Sequence, residues 1–96
     1  MPLYLADHRH TAETCPTQQP EMMQMLGEHV SQENAGKFGI TIQSDVVVPG
    51  DHHMMMVLVA DSREPIDKFM APFAMVGSVD VTEVRTCEQV VASARC

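Results

Sequence analysis

The sequence has too little positive charge for several common partners. Lys and Arg total 6 against 13 Asp and Glu, a formal net charge of -7. Nucleic-acid backbones and anionic membrane surfaces are polyanions, so neither is expected to bind this chain. No run approaches the roughly 18 apolar residues of a membrane span. The opening Met-Pro-Leu-Tyr-Leu-Ala-Asp-His has no basic region ahead of an apolar stretch, which argues against a secretory signal and makes the cytoplasm the expected compartment. There is no C-x-x-C pair among the 3 Cys, which disfavours a thioredoxin-type motif and a zinc ribbon. A nucleotide-binding glycine motif, a paired-carboxylate pattern, internal repeats, low-complexity tracts and tryptophan are all missing.

What is present is a chain of 96 residues, 45% hydrophobic and 20% charged. That composition folds, and the length holds one core, so residues 1–96 read as a single domain. Such a core buries only about 60–65% of the unfolded surface. Dimerisation or a bound metal would add stability. The 9 Met, 5 His and 3 Cys make a small acidic protein rich in soft and imidazole ligands.

Leu3 to His10 alternates as a strand, with Leu3 and Leu5 on one side and Tyr4, Ala6, His8 and His10 on the other. Residues 11–20, with two prolines, read as a loop. Residues 21–32 read as a helix with Met22, Met25, Leu26 and Val30 as its buried stripe, closed by Asn34 to Gly39. Strands follow at 39–48 and 52–60, separated by the turn Pro49-Gly50-Asp51. Ser62 and Pro65 begin a second helix with Ile66, Phe69, Met70 and Phe73 on one face, and Pro72 is expected to break or kink it. A fourth strand runs over 78–85. Residues 86–96 read as a tail whose Val90-Val91-Ala92 centre can pair with another strand. Most Met fall on apolar stripes and read as core filler. His29 sits at the edge of the first stripe and reads as a partly buried His.

The order β-α-β-β-α-β is the split-βαβ, ferredoxin-like arrangement: an α+β fold with a four-stranded antiparallel sheet and both helices on one face. The bare face calls for a two-fold partner. With Tyr4-Leu5-Ala6-Asp7-His8-Arg9 at its start, the chain resembles the dimeric α/β-barrel superfamily. Its opening is similar to that of a group of small bacterial proteins that includes a nickel-binding member. The resemblance implies a homodimer whose two sheets face each other. The superfamily hosts monooxygenases, isomerases and haem-handling enzymes, so the fold does not choose a function.

Spacing and topology locate the chemistry. His8 and His10 share a strand face, about 7 Å apart at the backbone. Cys15 follows on the loop. In a split-βαβ sheet the first and third strands are antiparallel neighbours, so the end of one meets the start of the other. His8, His10, His52 and His53 therefore gather at one sheet end, with Cys15 beside them. Alternation allows only one of His52 and His53 to share the face of His8. Neutral imidazole with thiolate suits zinc, copper or nickel better than magnesium or calcium. The Irving–Williams order favours copper, and the resemblance points to nickel. Asp7 or Asp51 is placed to hydrogen-bond an imidazole. Cys87 and Cys96, at the end, read as a disulfide, as ligands in trans, or as inert.

Two functions follow. The first is a homodimeric transition-metal-binding protein using His8, His10, Cys15 and His52 or His53. The second is a small dimeric α/β-barrel enzyme, a metal-dependent oxidoreductase or monooxygenase or an isomerase. In it, His8 or His10 acts as base, or Cys15 acts as a His-activated nucleophile. A substrate-sized apolar cavity would favour the enzyme; a closed metal shell would count against it.

Overall fold

Strand β1 (Leu3–His10) forms the spine of the sheet, because both of its edges are paired. The computed structural model describes residues 1–95. β2 (Thr41–Val48), β3 (His53–Val59) and β4 (Gly77–Val84) complete a wholly antiparallel sheet in the order β2-β3-β1-β4. This is the expected ferredoxin-like α+β arrangement. The register sets Ala6 opposite Met56 and Val81, and Tyr4 opposite Leu58. These side chains share one face and are buried there with Ile42.

Helix α3 (Arg63–Ala74) covers that face. Ile66, Phe69, Met70 and Phe73 recur at helical spacing and are all buried, each stabilising the fold by about 1.5–3 kcal/mol. The helix does not stop at Pro72 but continues to Ala74. Pro72 offers no N–H to the Lys68 carbonyl, so one helical hydrogen bond is lost, and the helix ends two residues later.

The region expected to be one helix over 21–32 is two: α1 (Pro20–His29) and α2 (Gln32–Lys37). Ser31 divides them. Its hydroxyl donates to the Glu28 carbonyl at 2.8 Å and accepts from the Asn34 N–H at 3.1 Å, closing one helix and capping the next. After α2, Gly39 takes φ 75°, and the Ile40 N–H reaches back to the Ala35 carbonyl, the left-handed stop that glycine permits. Gln32 then ties α2 to β2 by bonding both backbone groups of Ile42, beside the bulge between Ile42 and Ser44.

α1 departs from the expected stripe. None of its residues is buried, and Met25 is 67% exposed. Leu26 and Val30 pack only partly against the core, because α1 stands off the sheet across a cavity. The methionines follow suit: Met56 and Met70 fill the core, whereas Met23, Met25 and Met75 are exposed.

The tail is a helix rather than a strand. Thr86 and Gln89 bond reciprocally, the Thr86 hydroxyl to the Gln89 N–H and the Gln89 amide oxygen to the Thr86 N–H, and start α4 (Cys87–Ser93). Cys87 is exposed on α4; its pairing with Cys96 lies outside the described residues. No helix among the described residues is long and apolar enough to cross a membrane. By alternation the opposite sheet face carries Leu3, Leu5, Met55, Val57, Val59 and Val84.

Candidate metal centre

The end of β1 and the start of β3 meet as the topology requires. The His10 N–H donates to the His52 carbonyl at 3.1 Å. Gly50 and His52 both take positive φ, 80° and 51°, in the turn before β3. His tolerates this left-handed conformation better than β-branched residues do. It swings the His52 ring to 5.1 Å from that of His10, centroid to centroid. The loop after β1 folds back through bonds among Thr11 and Thr14 and a short 3-10 turn, Pro16–Gln18. Cys15 just precedes that turn, and its Sγ lies 3.0 Å from the Thr17 hydroxyl. As a result, one ligand atom from each of His10, Cys15 and His52 lies within 4.8 Å of the others. Two nitrogens and one sulfur converge: His10 and Cys15 come from the end of β1 and the loop after it, and His52 from the turn before β3, some forty residues on.

His8 is 3% exposed and sits behind His10 on the helix-side face. Its ring lies against His10 at 5.2 Å and against the edge of Phe73 at 5.3 Å. Hydrogen bonding fixes both tautomers. The Ser78 carbonyl can only accept, so His8 Nδ1–H donates to it at 3.0 Å. A neutral His8 then presents a lone pair at Nε2, and His10 Nδ1–H donates to it at 3.3 Å. The remaining nitrogen, His10 Nε2, is left with a bare lone pair. It is buried and has no hydrogen-bond partner among the described residues. Buried nitrogens without partners are rare and costly. A metal ligand oriented through its other ring nitrogen has this arrangement.

Both imidazoles are held in the neutral, metal-binding form. Burial pushes the His8 pKa below its ordinary 6.5, outweighing the Ser78 carbonyl and the Asp7 carboxylate. Burial also lowers the His10 pKa, with His8 and His52 adding to the effect.

The other sequence candidates lie elsewhere. His53 is one residue out of phase with His52 and points to the opposite face, where Nε2 meets Asp7 Oδ1 at 2.7 Å. Asp7 thus serves His53 rather than the cluster. His29 has both nitrogens engaged: Nε2–H donates to the Phe69 carbonyl at 2.7 Å, and Nδ1 accepts from the Asn34 amide at 3.2 Å. Sequence reasoning did not reach Ser78, although the adjacency of β1 and β4 in a split-βαβ sheet implies a β4 carbonyl beside His8. It also missed Thr17, for which the loop gave no signal.

A cavity of about 490 Å³ adjoins the centre. His8 and His10 form one end of it, and α1, the end of α3 and β3 supply its apolar walls.

The chain belongs to the DUF3303 family, a domain of unknown function, and the match spans residues 3–95. Comparison with curated proteins gives no match. Neither result names a nickel-binding relative for the Tyr4 to Arg9 opening.

Proposed function

We propose that this DUF3303 chain binds one transition-metal ion per subunit through His10, Cys15 and His52, with His8 as the positioning residue of His10. The supporting observation is the bare, buried Nε2 of His10 within a three-residue His/Cys group. Ligand atoms around a tetrahedral zinc ion lie roughly 3.3–3.7 Å apart, from bond lengths of about 2.0–2.3 Å. A small contraction of the group therefore closes it on an ion. Imidazole and thiolate favour copper, zinc or nickel over hard cations, and the Irving–Williams order favours copper at equal availability.

The proposed molecule is a homodimer joined through the bare sheet face, which keeps the metal centre, on the helix side, outside the joint.

Metal titration of untagged protein tests the reading. His10→Ala, Cys15→Ser and His52→Ala should each weaken binding by more than about 100-fold, since even outer hydrogen-bond partners are worth 10–100-fold. His53→Ala should leave affinity unchanged. Equal affinity in all four variants would overturn the assignment.

A second reading, a metal-dependent enzyme, is favoured by one observation. Three protein ligands leave an open coordination position, the pattern of catalytic rather than structural sites. The cavity adjoins that position through His10. The ion would supply Lewis acidity or redox chemistry, and the chain would orient His10 and exclude water through Met54 and Phe73.

A further inference from the structure

We infer that the cavity beside the metal centre is a binding site for a small, uncharged, largely apolar molecule, with aromatic ligands preferred. Its volume of about 490 Å³ falls within the range of small-molecule sites. Among the described residues, no Lys, Arg, Asp or Glu lines it. An anionic or cationic ligand would be desolvated there without a partner, which is costly.

The polar residues on its wall add little recognition, because their groups are already engaged. His8 is bonded through both nitrogens, to Ser78 and His10. His29 is bonded through both of its own, to Phe69 and Asn34. The Thr17 hydroxyl meets Cys15, and the His53 ring, although its residue borders the cavity, is turned to the other sheet face, where Nε2 meets Asp7. Among the buried side-chain nitrogens and oxygens of the described residues, His10 Nε2 alone is without a partner, and it belongs to the proposed metal centre. Selection therefore rests on shape and apolar contact. Five methionines on the wall supply adaptable thioethers that contact aromatic rings favourably, and Phe73 adds an aromatic edge.

Binding in the cavity stands on its own. That the occupant lies against an ion rests on the proposed metal reading, so the two are measured separately. The probe is 1-anilinonaphthalene, whose fluorescence rises in apolar surroundings. Its anionic counterpart is 8-anilinonaphthalene-1-sulfonate. The full chain is titrated with each, metal-free and with one equivalent of zinc. The expected result is one neutral probe bound per chain, with the sulfonate bound roughly 10–100-fold more weakly. Leu26→Trp and Met22→Trp, which fill the cavity, should each abolish probe binding while leaving zinc affinity intact. Using two filling variants guards against one failing to fold, which circular dichroism reports. No binding of the neutral probe, equal binding of the sulfonate, or retained binding in folded filled variants would overturn the inference. Probe affinity that falls as protein concentration rises would assign the cavity rim to a second copy of the chain and likewise overturn it. Loss of zinc binding with probe binding retained would remove the metal reading alone.

Discussion

A carbonyl at one end and a bare nitrogen at the other define the His8–His10 pair. The Ser78 oxygen fixes His8, His8 fixes His10, and the lone pair at His10 Nε2 is the consequence. His8→Phe keeps a ring against Phe73 but breaks that relay. We expect it to weaken zinc binding by roughly 10–100-fold, the usual effect of losing an outer hydrogen-bond partner. Isothermal calorimetry on wild type and variant measures this, and unchanged affinity would deny His8 its positioning role. The same pair predicts a pH dependence of the metal-free fold. Both histidines have folded-state pKa values below 6.5, so between those values and 6.5 the unfolded chain binds more protons. Their contribution is complete above about pH 6.5 and is lost as pH falls toward the folded-state values. Urea midpoints measured from pH 7.5 to 5 should fall below about pH 6.5, and His8→Phe should reduce that slope. A slope of opposite sign would contradict the neutral assignment.

Elements place these residues, and Gly77 shows how tightly. It opens β4 opposite His10, and a Cβ there would lie 2.1 Å from the Arg9 carbonyl oxygen. Gly77→Ala must push β4 away from the end of β1, carrying the carbonyl of Ser78 off His8. We expect a loss of about 1–3 kcal/mol in unfolding free energy, together with weaker metal binding. Ser31→Ala, by contrast, removes only the joint between α1 and α2. It should cost about 1 kcal/mol by denaturant unfolding and leave metal affinity unchanged. The strands were legible in the sequence because alternation in β1 and the glycine turn before β3 are local signals. The α1–α2 break was less so: the Ser31 cap was written in the sequence, but the apolar stripe ran on through Val30 and masked it. The tail was misread for the same reason. Val90, Val91 and Ala92 suit a strand, yet the Thr86–Gln89 capping box starts a helix. The exposure of α1 was not legible at all, since a cavity beneath a helix depends on packing that periodicity does not encode.

At the scale of the whole molecule, topology carried the site. Antiparallel neighbours in a split-βαβ sheet implied that His8, His10, His52 and His53 meet at one end with Cys15 beside them, and of these the structure brings His10, Cys15 and His52 into one group. The division between His52 and His53 did not, because it turns on one left-handed residue at position 52. The two faces of the sheet separate two proposed properties: the His10, Cys15 and His52 group lies on the helix side and the proposed dimer joint on the other. Leu5, paired with Val57 and Thr82 near the middle of the bare face, tests this. Sedimentation should give twice the chain mass for wild type and the single-chain mass for Leu5→Glu, with one ion per chain in both. A wild-type monomer would remove the dimer. The central claim is most directly tested by X-ray absorption spectroscopy of untagged, zinc-loaded protein. The account predicts one sulfur at about 2.3 Å and two imidazole nitrogens at about 2.0 Å around a single ion, with a light atom in the remaining position. An ion shell without sulfur, or no stoichiometric ion at all, would contradict it.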